Sequence, residues 1–312
     1  MKSVPISKTE RKRRERLRIN LWCWAFVSMT LIFYVAFQGW PILSSIYFSL
    51  LNWSGLTKDM KFVGLANYKE LLGDQLFWNA FINSFKYMVL VVPLQLVFSL
   101  FLAYLLNNPK LKGSSIYRTI YFVPVVTTAA IVGIVMVFIW GVNGPLNQML
   151  VSWGILQIPI NFFGEGKTAM SSLVAVAVWK DCGIYMIYWL AALQSVPRTM
   201  YEAAMVDGAG RFRTFRSIVM PMILPTAGVI SILCVISSLK VFDIVKTMTE
   251  GGPFYATDVI ATYVYRMAFS SEMGMPRLGY ASAAALLFGI TIIIIGAVLN
   301  MVKKVLNQKR YN

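Results

Sequence analysis

Six long runs of apolar residues dominate this sequence, and they constrain what it can fold into. Each run reaches the length of about 20 residues that a helix needs to cross the hydrocarbon core of a bilayer. Strands of a membrane barrel alternate polar and apolar positions over only about ten residues, so the runs favour helices. We predict an all-α integral membrane protein of about six transmembrane helices. The runs lie at 21–48, 80–106, 116–140, 170–193, 218–239 and 280–302.

The basic residues lie between these runs in an alternating pattern. Nineteen of the 29 Lys and Arg fall at residues 1–18, 110–118, 198–216 and 303–310. Cytoplasmic loops of membrane proteins are enriched in Lys and Arg, so the pattern predicts cytoplasmic termini and a multi-pass protein of the cytoplasmic (inner) cell membrane. The predicted parts are a basic cytoplasmic arm, a six-span membrane domain and a basic cytoplasmic tail. Their bounds are 1–20, 21–302 and 303–312.

Composition also bounds the chemistry of the chain. The net charge of +16 is concentrated beside predicted spans, where it favours contact with anionic membrane lipid rather than with nucleic acid. The chain contains no His, which removes the usual general base and the commonest metal ligand. We therefore predict no catalytic residue, no metal site and no enzymatic activity.

One segment resembles the end of a phosphate-binding loop, namely Gly166-Lys167-Thr168. Such a loop needs Gly five positions before its second Gly, and Asn161 stands there instead. We interpret the segment as a turn with a solvated Lys. The chain is therefore predicted to hold no cofactor of its own.

The segment 194–225 lies between the fourth and fifth runs and is predicted to be cytoplasmic. Pro197 suits the first turn of a short helix, and Gly208 with Gly210 is expected to end that helix. A second amphipathic run at 211–220 then leads into the fifth span. Two short helices are therefore predicted here.

The spacing in this segment resembles the signature of permease subunits of binding-protein-dependent ABC importers. That signature is Glu-Ala-Ala, three residues, Gly, nine residues, Ile, one residue and Leu-Pro. Six of its seven positions match, and Met220 replaces the usual Leu with a side chain of similar volume. The matching residues are Glu202, Ala203, Ala204, Gly208, Ile218 and Pro221.

The resemblance implies that this segment is the coupling helix that docks on an ATPase subunit. Ala203 and Ala204 would form the contact face, Glu202 a polar anchor and Gly208 the bend. The alternative is an amphipathic helix lying on the membrane, which explains the Arg and Phe residues but not the full spacing. The predicted coupling residues are Glu202, Ala203, Ala204, Asp207, Gly208 and Pro221.

Further segments resemble the carbohydrate branch of that family, in particular the maltose-type first permease of a pair. These segments are 63–68, 118–124, 251–253 and 279–283. The resemblance implies import of a sugar or oligosaccharide. It also implies four partners, namely a second, non-identical permease, ATPase subunits that bind ATP and Mg²⁺, an extracytoplasmic solute-binding protein and membrane lipid. The alternative is the same architecture with a non-sugar solute, such as a glycerol phosphate ester or a polyamine.

Polar and aromatic residues interrupt the fourth and fifth runs. Ionisable residues within a span are costly and usually mark a pathway. The spacing of Asp181, Tyr185 and Tyr188 puts them on one helix face, and Lys240 is predicted to pair with Asp243. The alternative is an interfacial aromatic belt with charges at the span ends, but maltose-type permeases bind sugar through these two spans. The predicted pathway residues are Trp179, Asp181, Tyr185, Tyr188, Ser237, Ser238, Lys240 and Asp243.

Overall fold

A computed structural model of the chain describes residues 8–108, 111–270 and 274–308, with side chains described between 15 and 305. Over these ranges the chain is mostly helical, with one short antiparallel ribbon in which β1 (Leu51–Asn52) pairs with β2 (Lys61–Phe62). Six helical segments are long and apolar enough to cross a membrane. The predicted all-α class with about six spans is confirmed. Residues 1–7 and 309–312 of the predicted arm and tail lie outside the described residues.

The first candidate span is a rod built from three consecutive helical pieces. They are α1 (Lys8–Tyr34), a π-helical turn (Val35–Gly39) and α2 (Trp40–Ser49). Every residue from 15 to 38 is exposed. Apolar side chains avoid water, so this rod requires lipid or another subunit around it.

The second and fourth spans pack side by side in the centre of the bundle. Helix α3 (Ala66–Gly73) leads into α4 (Gln75–Leu106), and α8 (Gly166–Gln194) lies against α4. Because α8 begins at Gly166, Gly166-Lys167-Thr168 is the first turn of a helix, and the predicted turn is wrong. Lys167 is nevertheless exposed, since a charged side chain in a first helical turn can point to solvent.

The third apolar run is not a single helix, contrary to the prediction for 116–140. Helix α5 (Ser114–Val126) ends where Thr127 and Thr128 become extended, with ψ angles of 135° and 134°. Helices α6 (Ala129–Trp140) and α7 (Pro145–Ser152) follow. Pro124 has no N–H for a helical hydrogen bond, and residues 125–128 are all β-branched, which lowers helix preference. Hydropathy alone does not reveal such a break.

The remaining helices complete the bundle. They are α9 (Arg198–Val206), α10 (Arg211–Thr214), a π-helical turn (Phe215–Val219), α11 (Met220–Leu239), α12 (Asp243–Met248), α13 (Ile260–Phe269) and α14 (Leu278–Gln308). Helix α14 packs against α2, α11 and α13. A β-carbon at Gly183 of α8 would lie 2.2 Å from the backbone oxygen of Tyr121, so this glycine lets α5 approach α8 closely.

The bundle has two ends, which we name by their contents. The basic end carries α9, α10 and the loop between α4 and α5, and the opposite end carries the β-ribbon, α3, α12 and α13. Residues from the α4–α5 loop and from α9 line a common cavity of 600 Å³ at the basic end. Two of the basic segments of the sequence therefore meet at the same end of the bundle.

Charged side chains at the opposite end pair with one another. Asp258 is fully buried and accepts hydrogen bonds from Arg266 and from Thr262 Oγ1. Arg277 donates to both carboxylate oxygens of Glu70 at 2.6 Å, and this pair is about half exposed. The hydrogen bond from Arg277 lowers the pKa of Glu70.

The Asp74 carboxylate connects α4, α13 and α14 through hydrogen bonds. It accepts from Leu76 N at 2.8 Å, which caps α4. It also accepts from the hydroxyls of Tyr263 in α13 and Tyr280 in α14. Burial acts to raise the pKa of Asp74, but the hydrogen bonds from these donors outweigh burial and hold it below its ordinary value of 3.8.

Candidate functional site

A cavity of 250 Å³ lies inside the bundle between α4, α6, α8, α11 and the start of α12. Helix α4 lines it with Tyr87, Val91 and Gln95, which recur every four residues and therefore share one face. Ala129, the first residue of α6, lines it where the third span is broken. The break thus brings the start of a helix to the wall of the cavity.

Helix α8 contributes an ion pair to the cavity wall. Lys180 Nζ lies 2.9 Å from Asp181 Oδ1, and the Lys180 side chain is largely buried while Asp181 is partly exposed to the cavity. One turn further along the same helix, the buried Tyr185 also lines the cavity. Because the two charges neutralise each other, this wall presents polarity without a net charge.

The fifth span and the residues after it close the remaining side. Ser237, Ser238, Lys240 and Asp243 all line the cavity. No ion pair joins Lys240 to Asp243 in this described part of the chain, and the predicted pairing is wrong. The physical reason is that α11 ends at Leu239 and α12 begins at Asp243, so the two residues do not share one helix face.

Six of the eight predicted pathway residues line this cavity and two do not. Trp179 and Tyr188 lie on the outer side of α8, with exposed fractions of 44% and 38%. The Tyr188 ring packs edge-to-face against Tyr185, which does line the cavity, with centroids 6.0 Å apart. Whether the lining residues contact a transported solute stays a prediction.

Sequence reasoning missed the α4 wall of the cavity. Gln95 is the single polar side chain between residues 88 and 98 of the second apolar run. A lone amide in a membrane span is itself a signal, because a polar side chain there requires a partner. Tyr87 gives no such signal, since aromatic residues are common at membrane interfaces.

The predicted coupling segment forms an exposed helix, α9, at the basic end. Glu202 and Ala203 are exposed, whereas Ala204 is buried against the bundle. Ala203 and Ala204 therefore do not form one contact face, because adjacent helical residues point about 100° apart. The exposed apolar surface instead comes from Met205 and Val206, with exposed fractions of 67% and 88%.

The end of α9 turns as the sequence predicts. Asp207 is the exposed C-cap residue, and Gly208 has a φ of +71°, the left-handed conformation that favours glycine. Pro221 is the second residue of α11, directly after the π-helical turn that leads into this helix. On the inner face of α9, partial burial raises the pKa of Tyr201.

The described residues contain no group of three or more His, Cys, Asp or Glu side chains placed to hold a metal ion. Gly166-Lys167-Thr168 opens α8, at the end of that helix remote from α9. The polar groups of the cavity are hydroxyls, an amide and balanced charges. Such groups exchange hydrogen bonds with a polar solute.

Six candidate membrane spans, four of which wall a polar internal cavity, are typical of membrane transport proteins. Residues 77–311 match the family described as binding-protein-dependent transport system inner membrane component, and the chain belongs to that family. The predicted resemblance is confirmed. Members of this family are transport components, so the expectation that the chain is not an enzyme is confirmed as well.

Several curated proteins are similar to this chain. It is 33% identical to the lactose transport system permease protein LacF of Rhizobium radiobacter over 84% of this chain and 87% of that protein. It is 31% identical to the diacetylchitobiose uptake system permease protein NgcF of Streptomyces coelicolor over 96% of this chain and 88% of that protein. The multiple sugar-binding transport system permease protein MsmF of Streptococcus mutans is 32% identical to it over 89% of this chain and 92% of that protein.

A solved structure shows the same fold. A chain of a bacterial ABC transporter involved in the import of the acidic polysaccharide alginate superposes with a TM-score of 0.78. The match covers 94% of this chain and 98% of that chain, at 24% sequence identity. The helix arrangement described above is therefore one that solved transporters adopt.

Proposed function

We propose that this chain is the membrane-spanning permease of an ABC importer and carries a sugar or oligosaccharide across the cytoplasmic membrane. The observation that carries the proposal is the internal cavity, whose lining combines hydroxyls, an amide and a neutralised ion pair. Relatives that cover most of the chain are named for lactose, multiple-sugar and diacetylchitobiose transport. Groups of this kind suit the many hydroxyls of a sugar.

The charge balance of the cavity supports a neutral solute over the alternatives. Lys180 and Lys240 are opposed by Asp181 and Asp243 in the same lining. A glycerol phosphate ester would be favoured by excess positive charge, and a polyamine by excess negative charge. Neither excess is present among these four side chains.

The proposed partners follow from the exposed surfaces and from the family. The exposed α1 rod supports packing against a second, non-identical permease. The exposed apolar residues of α9 support docking on an ATPase subunit that binds ATP and Mg²⁺. The family description supports an extracytoplasmic solute-binding protein, and the alternating basic loops support cytoplasmic termini.

Reconstitution of the full complex tests this function. The chain is placed in liposomes with a second permease, the ATPase and a solute-binding protein from the same gene neighbourhood. Uptake is measured for lactose, maltotriose, diacetylchitobiose, glycerol 3-phosphate and spermidine. We expect saturable uptake of at least one of the three sugars that requires both ATP and the binding protein.

Two outcomes contradict the proposal. Import of glycerol 3-phosphate or spermidine without any of the sugars would replace the solute class. Sugar uptake that continues without the ATPase would remove the ABC mechanism. As a control, the purified chain alone is expected to hydrolyse no ATP.

A further inference from the structure

The side chain of Gln95 is buried and has no hydrogen-bond partner. It is 1% exposed, and neither Oε1 nor Nε2 finds a partner among the residues that the structure describes. A primary amide offers two donor hydrogens and two acceptor lone pairs. Buried polar groups in proteins are nearly always paired, so an amide unpaired at both ends requires an explanation.

The neighbouring polar residue of the same helix shows the contrast. Ser99 is equally buried, but its Oγ donates to the backbone oxygen of Gln95 at 2.5 Å. Ser99 is thus satisfied within α4, as serines in membrane helices usually are, and it does not line the cavity. The Gln95 amide makes no hydrogen bond within α4, and this residue lines the cavity.

Gln95 lines the cavity, but almost none of its amide is exposed in this conformation, so a solute reaches the amide when the side chain turns toward the cavity. The Gln95 side of the cavity also contains Tyr87 and Val91, while Tyr185 and Cys234 line it from α8 and α11. Gln95 lies 11 residues before the end of α4 at Leu106, which is about 16 Å at the helical rise of ~1.5 Å per residue. This distance is about half of the ~30 Å thickness of a hydrocarbon core.

We propose that Gln95 binds the transported sugar directly. The amide Nε2 donates to one sugar hydroxyl while Oε1 accepts from a neighbouring hydroxyl, so that both unpaired ends are satisfied together. Adjacent hydroxyls that each donate and accept are characteristic of sugars, which makes this residue selective for them. The inference rests on the proposed function and adds the α4 wall to the binding surface.

The test compares Gln95→Met with wild type in the reconstituted complex. Met has a similar length and no polar groups, so it removes the amide without opening a cavity. The probe is the sugar of the lactose, maltotriose and diacetylchitobiose panel that the wild-type complex imports. We expect uptake to fall about tenfold, the effect of losing hydrogen bonds to a buried polar group. ATP hydrolysis stimulated by the binding protein should remain.

Stability separates a binding role from a structural one. Removing an unpaired buried amide is not expected to destabilise the sugar-free complex, so its apparent Tm should be unchanged or higher. The control Ser99→Ala changes an equally buried residue outside the cavity and should leave uptake near wild type. Monodeoxy analogues of the same sugar give a second readout. Wild type should distinguish at least one of these analogues from the parent sugar. Gln95→Met should no longer distinguish that analogue from the parent sugar.

Each remaining outcome has a definite meaning. Normal uptake by Gln95→Met, or unchanged discrimination among the deoxy analogues, overturns the inference. A complex that fails to assemble, or whose apparent Tm falls with uptake, assigns Gln95 a structural partner and also overturns it. Absence of sugar uptake by the wild-type complex instead contradicts the proposed function, and is distinguished because it appears before any substitution.

Discussion

The two ends of the bundle treat charged side chains in opposite ways. At the opposite end, Asp258 is paired with Arg266, and Glu70 with Arg277. At the basic end, none of the ion pairs in the described residues involves a side chain from 198–216. Apolar side chains are exposed at both ends, among them Val206 at the basic end and Phe62 and Phe254 at the opposite end.

The difference in ion pairing shows which end satisfies its charged side chains within the chain. Buried charges that are paired stabilise the fold without outside help, as they do around Asp258. An exposed apolar surface on a helix beyond the membrane gains free energy only when something covers it. The buried charge of the opposite end is thus satisfied within the chain, whereas the basic residues and the exposed apolar side chains of α9 and α10 are left for an outside partner. Substitutions at the two ends should therefore fail in different ways.

The largest expected effect is at Gly208, where Gly208→Val should abolish uptake while the protein still inserts into the membrane. A β-carbon there meets no other atom within 4 Å, so the conflict is purely one of backbone conformation. A left-handed conformation costs an ordinary L-residue about 1–2 kcal/mol, and a β-branched one more. Uptake and ATP hydrolysis are measured on one preparation with verified membrane levels.

A matched control lies two residues away. Gly210 has φ −66° and ψ 162°, which any residue adopts, and its added β-carbon also meets nothing within 4 Å. Gly210→Val should keep most uptake. Glu202→Ala should reduce uptake less than Gly208→Val, because the apolar surface beside it remains. Normal import by both Gly208→Val and Glu202→Ala would show that α9 does not couple the chain to an ATPase.

The second prediction concerns the opposite end, where Asp258→Ala should lower the stability of the folded protein strongly. The substitution leaves the buried Arg266 without its carboxylate, and breaking such a pair costs about 3–5 kcal/mol. Glu70→Ala removes a pair of similar geometry whose side chains are about half exposed, so it should cost only about 0–1 kcal/mol. Apparent Tm values in detergent measure both. Equal losses would mean that burial does not distinguish the two pairs.

The smallest expected effect is a pH dependence at Asp74. Its pKa is lower in the folded protein than the ordinary value of 3.8, so its contribution to stability is complete above that value. It is lost as the pH falls through the lower folded pKa. The apparent Tm of wild type should therefore drop below about pH 4, and Asp74→Asn should flatten that drop. An identical pH profile for the variant would contradict the assignment.

The sequence predicted the spans well because hydropathy depends on composition averaged over a window. It failed where one residue or one backbone angle decides the structure. The helix breaks at Thr127 and Thr128, and two residues lower the hydropathy averaged over a window too little to reveal the break. The pairing of Lys180 with its neighbour Asp181 was not foreseen. The predicted pairing of Lys240 with Asp243 required both residues to lie on one helix, whereas α11 ends at Leu239.

The candidate sites were predictable where a spacing encodes them. The signature around Glu202 identified a helix that is exposed at the basic end, and the turn at Gly208 follows from its missing side chain. The sequence did not reveal that Ala204 faces inward, since the direction of a short helix relative to a bundle depends on tertiary packing. For the same reason it did not show that one face of α4 completes the cavity.

The connection between α8 and α9 is short, so a large movement of one helix is transmitted to the other. Three residues separate Gln194 from Arg198, and the middle one, Val196, is buried. Ser195 N donates to the backbone oxygens of Ala191 and Ala192, so the start of the connection is fixed to the last turn of α8. Three extended residues span at most about 10 Å. A displacement of α9 beyond that reach must pull on the end of α8, the helix that also carries Asp181.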